Sequence, residues 1–176
     1  MASFVALIRA IGPVTHAKMK MAALRDACAA AGLDDVETVG NTGNILLASE
    51  LPPDDVRALV QSVVAGFGLD NEVFLRDPGE MAEVVAANPF PDAARDRPAE
   101  LGVCSFHTTP NWTPITRDYR GPEQVATLGT HLVVAYPQGI TGSSLRIEKR
   151  LGVTMTMRNW TVFARLAEKV AARAER

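Results

Sequence analysis

Apolar residues recur along this chain with two periods, one near two residues and one near 3.6, and the changes between them mark its elements. Ser3 to Ala10 is an apolar and β-branched run that predicts a buried strand, broken by Ile11-Gly12-Pro13-Val14-Thr15. Met21, Leu24, Cys28 and Ala31 then return at helical spacing, and Gly32 supplies a left-handed stop. Asp35 to Gly40 and Asn44 to Ser49 read as antiparallel strands joined by Asn41-Thr42-Gly43, a short loop of hairpin composition. Pro52, Pro53, Asp54 and Asp55 open a second helix, because proline fits a first turn and carboxylates meet the positive end of the helix dipole. Val56, Leu59, Val60, Val63, Val64 and Phe67 give that helix one continuous apolar face. Glu72 to Arg76 follows as a fourth strand.

Strand, helix, strand, strand, helix, strand is the ferredoxin-like order, an α+β fold with two helices on one face of an antiparallel sheet. Asp77-Pro78-Gly79-Glu80 starts a third helix through Met81, Val84 and Val85, and Asn88-Pro89-Phe90-Pro91 ends it. Asp92 to Glu100 is charged and proline-containing, as an exposed connection would be. Strand signals resume at Leu101 to His107, Gln124 to Leu128 and His131 to Tyr136, with Gly129-Thr130 as a tight turn. Ser143 to Leu151 reads as a short helix and Val153 to Met157 as a strand. Asn159 to Arg173 reads as a final helix with Trp160, Phe163, Ala167 and Val170 inward. The second half is therefore expected to be a degraded copy of the first, its crossover at Thr108 to Pro122 being too rich in Pro, Gly and Thr to predict a helix. The implied organisation is a ferredoxin-like half with an extra helix at residues 1–88, a linker at 89–100, and a second half with a final helix at 101–176.

Composition narrows the function classes. With 176 residues, 47% of them apolar, the chain can bury a sizeable core. Runs such as Phe4 to Ile8 and Leu132 to Tyr136 are far shorter than the roughly 20 residues of a bilayer-spanning helix. The first residues lack a basic leader, and Arg9 interrupts the apolar run, so a cytoplasmic location is expected. Cys28 and Cys104, both in apolar settings, are expected to be buried thiols. A net charge of -2 gives no global attraction to phosphate backbones, which makes nucleic acid a less favoured partner than a small molecule. His16, His107 and His131 are scattered, and no Cys/His/Asp cluster has metal-site spacing, so neither metal nor cofactor is expected. Cys104 and His107 stand three apart on a predicted strand and point to opposite faces, which excludes a nucleophile–base pair from that spacing. Gly139 and Gly142 with Ser143-Ser144 match neither a P-loop nor a dinucleotide fingerprint and read as a turn and cap.

Arg9-Ala10-Ile11, Lys18-Met19-Lys20-Met21 with Leu24-Arg25, Thr42-Gly43-Asn44, Asn88-Pro89-Phe90 and Arg158-Asn159-Trp160 occur in one order and spacing. In these the chain resembles the bacterial family called domain of unknown function 1697. The resemblance implies a cytoplasmic fold of two ferredoxin-like halves and brings no activity with it. The chain departs from the family pattern at four places: glycine is usual where Ala10 stands, asparagine where Gly12 stands, and a glycine pair where Val14 and Thr15 stand. If the loop wraps a ligand through its backbone, these side chains remove part of the cradle.

In this fold the first and second strands run toward the same end of the sheet, so the loop Ile11 to Ala17 and the hairpin Asn41 to Gly43 should share one rim. Arg9, His16, Lys18 and Lys20 would then gather near Asn41, Thr42 and Asn44, and cations there favour a phosphate or carboxylate. Solvated helix charges and ordinary turn residues account for the same positions. Arg158 is the member of its motif least explained by packing, and it is a second candidate anion contact, while Asn159 is a natural N-cap. The leading reading is a binding module for an anionic small molecule or metabolite. The alternatives are a single-stranded nucleic-acid binder, which lacks paired exposed aromatics here, and an enzyme using the basic edge to stabilise charge, for which His16 is the one nameable base.

Overall fold

The computed structural model describes residues 1–175. The chain begins β1 (Ala2–Ile8), α1 (Pro13–Lys18), α2 (Met21–Ala30), β2 (Asp34–Thr38), β3 (Asn44–Ser49), α3 (Pro53–Gly66), β4 (Val73–Arg76) and α4 (Pro78–Ala87). Its four strands form an antiparallel sheet in the order β2-β3-β1-β4, which is the ferredoxin-like order expected. A 3-10 turn and a second set of elements follow: α5 (Pro91–Asp96), the turn Pro98–Glu100, β5 (Leu101–Ser105), α6 (Thr113–Thr116), β6 (Gln124–Leu128), β7 (His131–Ala135), α7 (Ile147–Leu151), β8 (Thr156–Asn159) and α8 (Trp160–Ala174). These strands pair as β6-β7-β5-β8, the same permutation, again antiparallel throughout. The chain divides into two compact units, Met1–Ala82 with Leu166–Arg176, and Glu83–Arg165. No helix of the described residues is long and apolar enough to cross a membrane.

In the first unit Phe4, Ala6 and Ile8 face α2 and α3, with Ile45, Leu47 and Val73 beside them and Leu24, Cys28, Val56, Val60 and Val64 above. Each Val, Leu, Ile or Phe among them contributes about 1.5–3 kcal/mol by leaving water. Val5 and Leu7 point the other way, yet they, Leu46 and Phe74 are equally buried. A strand covered on both faces loses polar alternation, which is why Ser3 to Ala10 reads as an unbroken apolar run. The last turns of α8 also belong to this unit. Lys169 Nζ lies 2.6 Å from Glu37 Oε1, and Arg173 Nη2 lies 2.6 Å from Glu37 Oε2 and pairs with Asp35. They clasp β2 where its register shifts and Asp35 adopts a positive φ of 46°.

In the second unit Cys104, Leu132, Val134, Met157 and Tyr136 pack with Ile115, Leu145 and Ile147. Both crossover helices are stubs: α6 has 4 residues and α7 has 5. The expected end signals are in place. Asn159 Oδ1 accepts the Val162 N–H at 2.9 Å, Asp77 Oδ1 accepts that of Glu80 at 3.1 Å, and Gly32 stands at φ 96°.

Several boundaries differ from expectation, each for a local reason. The strand ends before Gly12-Pro13 as expected, but the same residues also start the short helix α1, since Thr15 Oγ1 accepts the Gly12 N–H and donates to the Gly12 carbonyl, and proline occupies the first turn. The stretch expected as a linker is wound into α5 and the 3-10 turn. The helix expected from Ser143 begins only at Ile147, because Ser143 is held by Glu123 and Arg146 is left-handed at φ 44°. The strand expected at Val153 to Met157 slides to Thr156–Asn159, where β5 supplies its ladder.

Candidate functional site

The rim of the first unit is built by strand pairing. Leu7 stands opposite Asn44, and the Ile8 N–H donates to the Gly43 carbonyl at 2.8 Å, so the chain leaving β1 meets the β2–β3 hairpin directly. Gly43 is required there. A Cβ on it would lie 2.7 Å from Ile11 Cγ1 and 2.9 Å from Ile8 Cβ, and its φ of 75° is a left-handed value. Arg9 comes next: its N–H donates to the Glu72 carbonyl at 2.9 Å, and its own carbonyl accepts from Asn71 Nδ2 at 2.9 Å. Asn71 Nδ2 also reaches the Ala10 carbonyl at 3.3 Å. Thus the segment Asp70-Asn71-Glu72 ties the loop from the β4 side and brings two carboxylates to the same end of the sheet.

Ala10 adopts φ 60°, the conformation glycine takes without cost. The backbone turn has survived the presence of a side chain. Val14 and Thr15 sit within α1, where β-branched residues are tolerated, so no glycine is needed at either position. His16 is half-buried with its N–H on the Gly12 carbonyl; Lys18 and Lys20 are exposed on either side of Met19, which is fully buried and anchors the kink between α1 and α2. Lys20 is the N-cap residue of α2. Asn41 and Thr42 are exposed at the hairpin tip. Asn44 is only 1% exposed, and its Nδ2 donates to the Val39 carbonyl at 3.0 Å and to Thr42 Oγ1 at 2.9 Å, so both amide hydrogens stabilise the hairpin itself. The structure therefore joins Ile8 to Gly43 through the backbone, packs the Ile11 side chain against Gly43, ties the Arg9 backbone to Glu72 instead, and carries His16, Lys18 and Lys20 on the segment that follows.

Arg158 belongs to the second unit and is described there. It sits on β8 opposite Val103, is 8% exposed, and donates through Nη1 to Thr156 Oγ1 at 2.8 Å and to the Met157 carbonyl at 3.0 Å. Burial pulls its guanidinium down to about 10. Sequence reasoning missed its counterpart. Arg76 sits on β4 opposite Val5, is 4% exposed, donates through Nε to the Leu75 carbonyl at 2.6 Å, and is likewise lowered by burial, with Glu80 opposing that shift from 3.9 Å. The last strand of each half thus carries one buried arginine, opposite Val5 on β1 and Val103 on β5, on the sheet face away from the core helices. The signal for it was an arginine in the last strand of each half, Arg76 in β4 and Arg158 in β8.

The strand faces turned from the helices are filled by Val5, Leu7, Leu46 and Phe74 in one sheet and by Val103, Val133 and Ser105 in the other, all buried. Bases have no open platform on them. Both cysteines are buried, and desolvation lifts Cys28 to about 11 and Cys104 to about 12. Among the described residues no group of three or more His, Cys, Asp or Glu side chains is placed to hold a metal ion.

Against known proteins, a family model described as protein of unknown function (DUF1697) matches residues 1–132. A conserved bacterial protein from Streptococcus pneumoniae has a similar structure, with a TM-score of 0.74, 17% sequence identity, and coverage of 97% of this chain and 99% of that one. At that identity the likeness is one of fold, and it extends across both halves. No curated protein matches the sequence.

Proposed function

Because the chain belongs to the DUF1697 family of proteins of unknown function, which brings no activity with it, we propose from its own residues that it is a binding module for an anionic small molecule. The ligand is held at the rim where the loop after β1 meets the β2–β3 hairpin. One observation carries the reading: Gly43 lets the hairpin backbone touch Ile8 and Ile11, so Arg9 starts beside the hairpin tip and the loop leads straight into His16, Lys18 and Lys20. The hairpin residues Val39 to Gly43 carry no acid, and the loop that meets Gly43 has a net positive charge. Asp70 and Glu72 at the β4 side oppose the attraction and confine it to the Lys18–Lys20 side of the loop.

Charge contacts this exposed contribute about 0.5–1 kcal/mol each, and three or four of them give a dissociation constant between about 1 mM and several tens of millimolar. Binding of that strength falls with salt. In a thermal-shift screen, 10 mM inorganic phosphate or a dicarboxylate should raise stability by about 1.4 kcal/mol for a dissociation constant of roughly 1 mM. Lys18→Ala with Lys20→Ala should abolish the shift. If no such anion protects the wild type, or if the double variant is protected equally, the reading is wrong.

A further inference from the structure

The second unit departs from its copy at one place above all. In the first unit three residues, Glu50 to Pro52, join the third strand to its helix; in the second, eleven residues, Tyr136 to Arg146, make the same connection between β7 and α7. Connections in such folds are usually about 2–6 residues, and longer ones tend to carry function. This one wraps a polar cleft of about 160 Å³ beside the start of β6, with Glu123, Gln138, Thr141, Ser143 and Ser144 in its wall.

The cleft is organised around one carboxylate. Ser143 Oγ donates to Glu123 Oε1, and Tyr119 Oη donates to Glu123 Oε2 at 2.6 Å. Tyr119 Oη also lies 3.3 Å from Ser144 Oγ, and the Arg150 guanidinium covers the Tyr119 ring at 4.5 Å while its Nε donates to the Leu145 carbonyl. Glu123 is thus held in one orientation from two sides. Desolvation pushes its carboxyl up, but the hydroxyls of Ser143 and Tyr119 outweigh that and keep it below its ordinary value, so it is ionised at neutral pH. A carboxylate accepts about four hydrogen bonds, and these two hydroxyls with the Glu123 backbone N–H use three. Glu123 is the one charged side chain among the residues lining the cleft. Gly139 and Gly142 line the cleft in left-handed conformations, with φ of 80° and 85°.

We propose that this cleft is a binding site for a small organic ammonium, with Glu123 as its counter-ion and the hydroxyls of Thr141 and Ser144 and the Gln138 amide as its polar wall. An anion is excluded by the same carboxylate. Size restricts the ligand further, because the volume equals that of about five waters, which suits a molecule of four to six heavy atoms. The inference concerns the second unit and stands independently of the anion reading for the first.

The test is an NMR titration of the full chain with ethanolamine, with ethylene glycol as the neutral mimic. Ethanolamine should give saturable shifts at the Gly139, Gly142 and Ser143 amides; ethylene glycol should give none. Glu123→Gln should lose at least tenfold in affinity. Thr141→Lys should do the same by offering Glu123 a tethered ammonium while leaving Tyr119, Glu123 and Ser143 unsubstituted, and it decides alone if Glu123→Gln fails to fold. Linear unsaturable shifts, equal shifts with ethylene glycol, or full affinity in Thr141→Lys would overturn the proposal.

Discussion

Alanine at Gly43 tests whether the hairpin and the β1 loop are held in contact, and alanine at Gly40 provides the control within the same turn. Both glycines have left-handed φ, 75° and 68°, so both substitutions incur about 1–2 kcal/mol for placing a Cβ in that region. Each also recovers about 0.4–1 kcal/mol by stiffening the unfolded chain. Only the surroundings differ. Nothing lies within 4 Å of a Cβ at Gly40, whereas at Gly43 it would meet Ile8 Cβ at 2.9 Å, fixed on the sheet, and Ile11 Cγ1 at 2.7 Å. Overpacking of this kind adds about 1–3 kcal/mol. Gly40→Ala should therefore cost about 0.5–1 kcal/mol and Gly43→Ala about 2–4 kcal/mol. Urea unfolding followed by far-UV circular dichroism is the suitable assay, since Trp112 and Trp160 both lie in the second unit and report little on the first. If two transitions are seen, the comparison applies to the one that Gly43→Ala moves. Equal costs at the two positions would refute the contact on which the rim depends.

Further expectations follow from single sites. Ala10→Gly should stabilise the protein by about 0.5–1 kcal/mol, because it relieves the left-handed strain at φ 60° and Asn71 still fixes the turn; a loss of stability in the same denaturation series would count against that account. Cys28, lifted to about 11, exposes about one thiolate in a thousand at pH 8, and Cys104 fewer, so a thiol-specific disulfide reagent should label neither in the folded protein and both in urea. The Lys169 hydrogen bond is the largest influence on the Glu37 carboxyl, and with the Arg173 hydrogen bond and the two positive charges it outweighs the effect of burial and holds the group below its ordinary value. A group lowered on folding adds stability above its unfolded value and loses it as pH falls through the folded one, so Glu37→Gln should flatten the acid limb of the stability curve below about pH 4.5 and leave the slope near pH 7 unchanged. A double-mutant cycle on Glu37 and Lys169 should give about 0.5 kcal/mol, declining with added salt, as expected for a half-exposed pair.

What the sequence made legible was the part dictated by local chemistry. The α3 stripe from Val56 to Val64, the glycine stop at Gly32 and the caps at Asp77 and Asn159 are each written within a few residues, and the shared rim of the loop and hairpin follows from strand order alone. What escaped was set by distant partners. The start of α7 depends on Glu123 holding Ser143, twenty residues away, and the placement of β8 depends on its ladder with β5, which leaves Val153 43% exposed despite its strand-like side chain. Asn44 begins β3 as read from the sequence, but its burial and the use of its side-chain amide on Val39 and Thr42 depend on the folded hairpin. The clasp of Lys169 and Arg173 on β2 joins residues more than 130 positions apart. α1 was a failure of weighting: Gly-Pro both ends a strand and starts a helix, and Thr15 secures the second role.

The rim proposal meets its most direct test in a titration of the ¹⁵N-labelled chain with inorganic phosphate at low ionic strength. Saturable shifts confined to the amides from Gly12 to Lys20 and at Thr42 and Gly43, weakened by sodium chloride and lost in the Lys18→Ala, Lys20→Ala double variant, are the predicted result. Shifts spread over the surface, or none at these amides while the fold is intact, would contradict it.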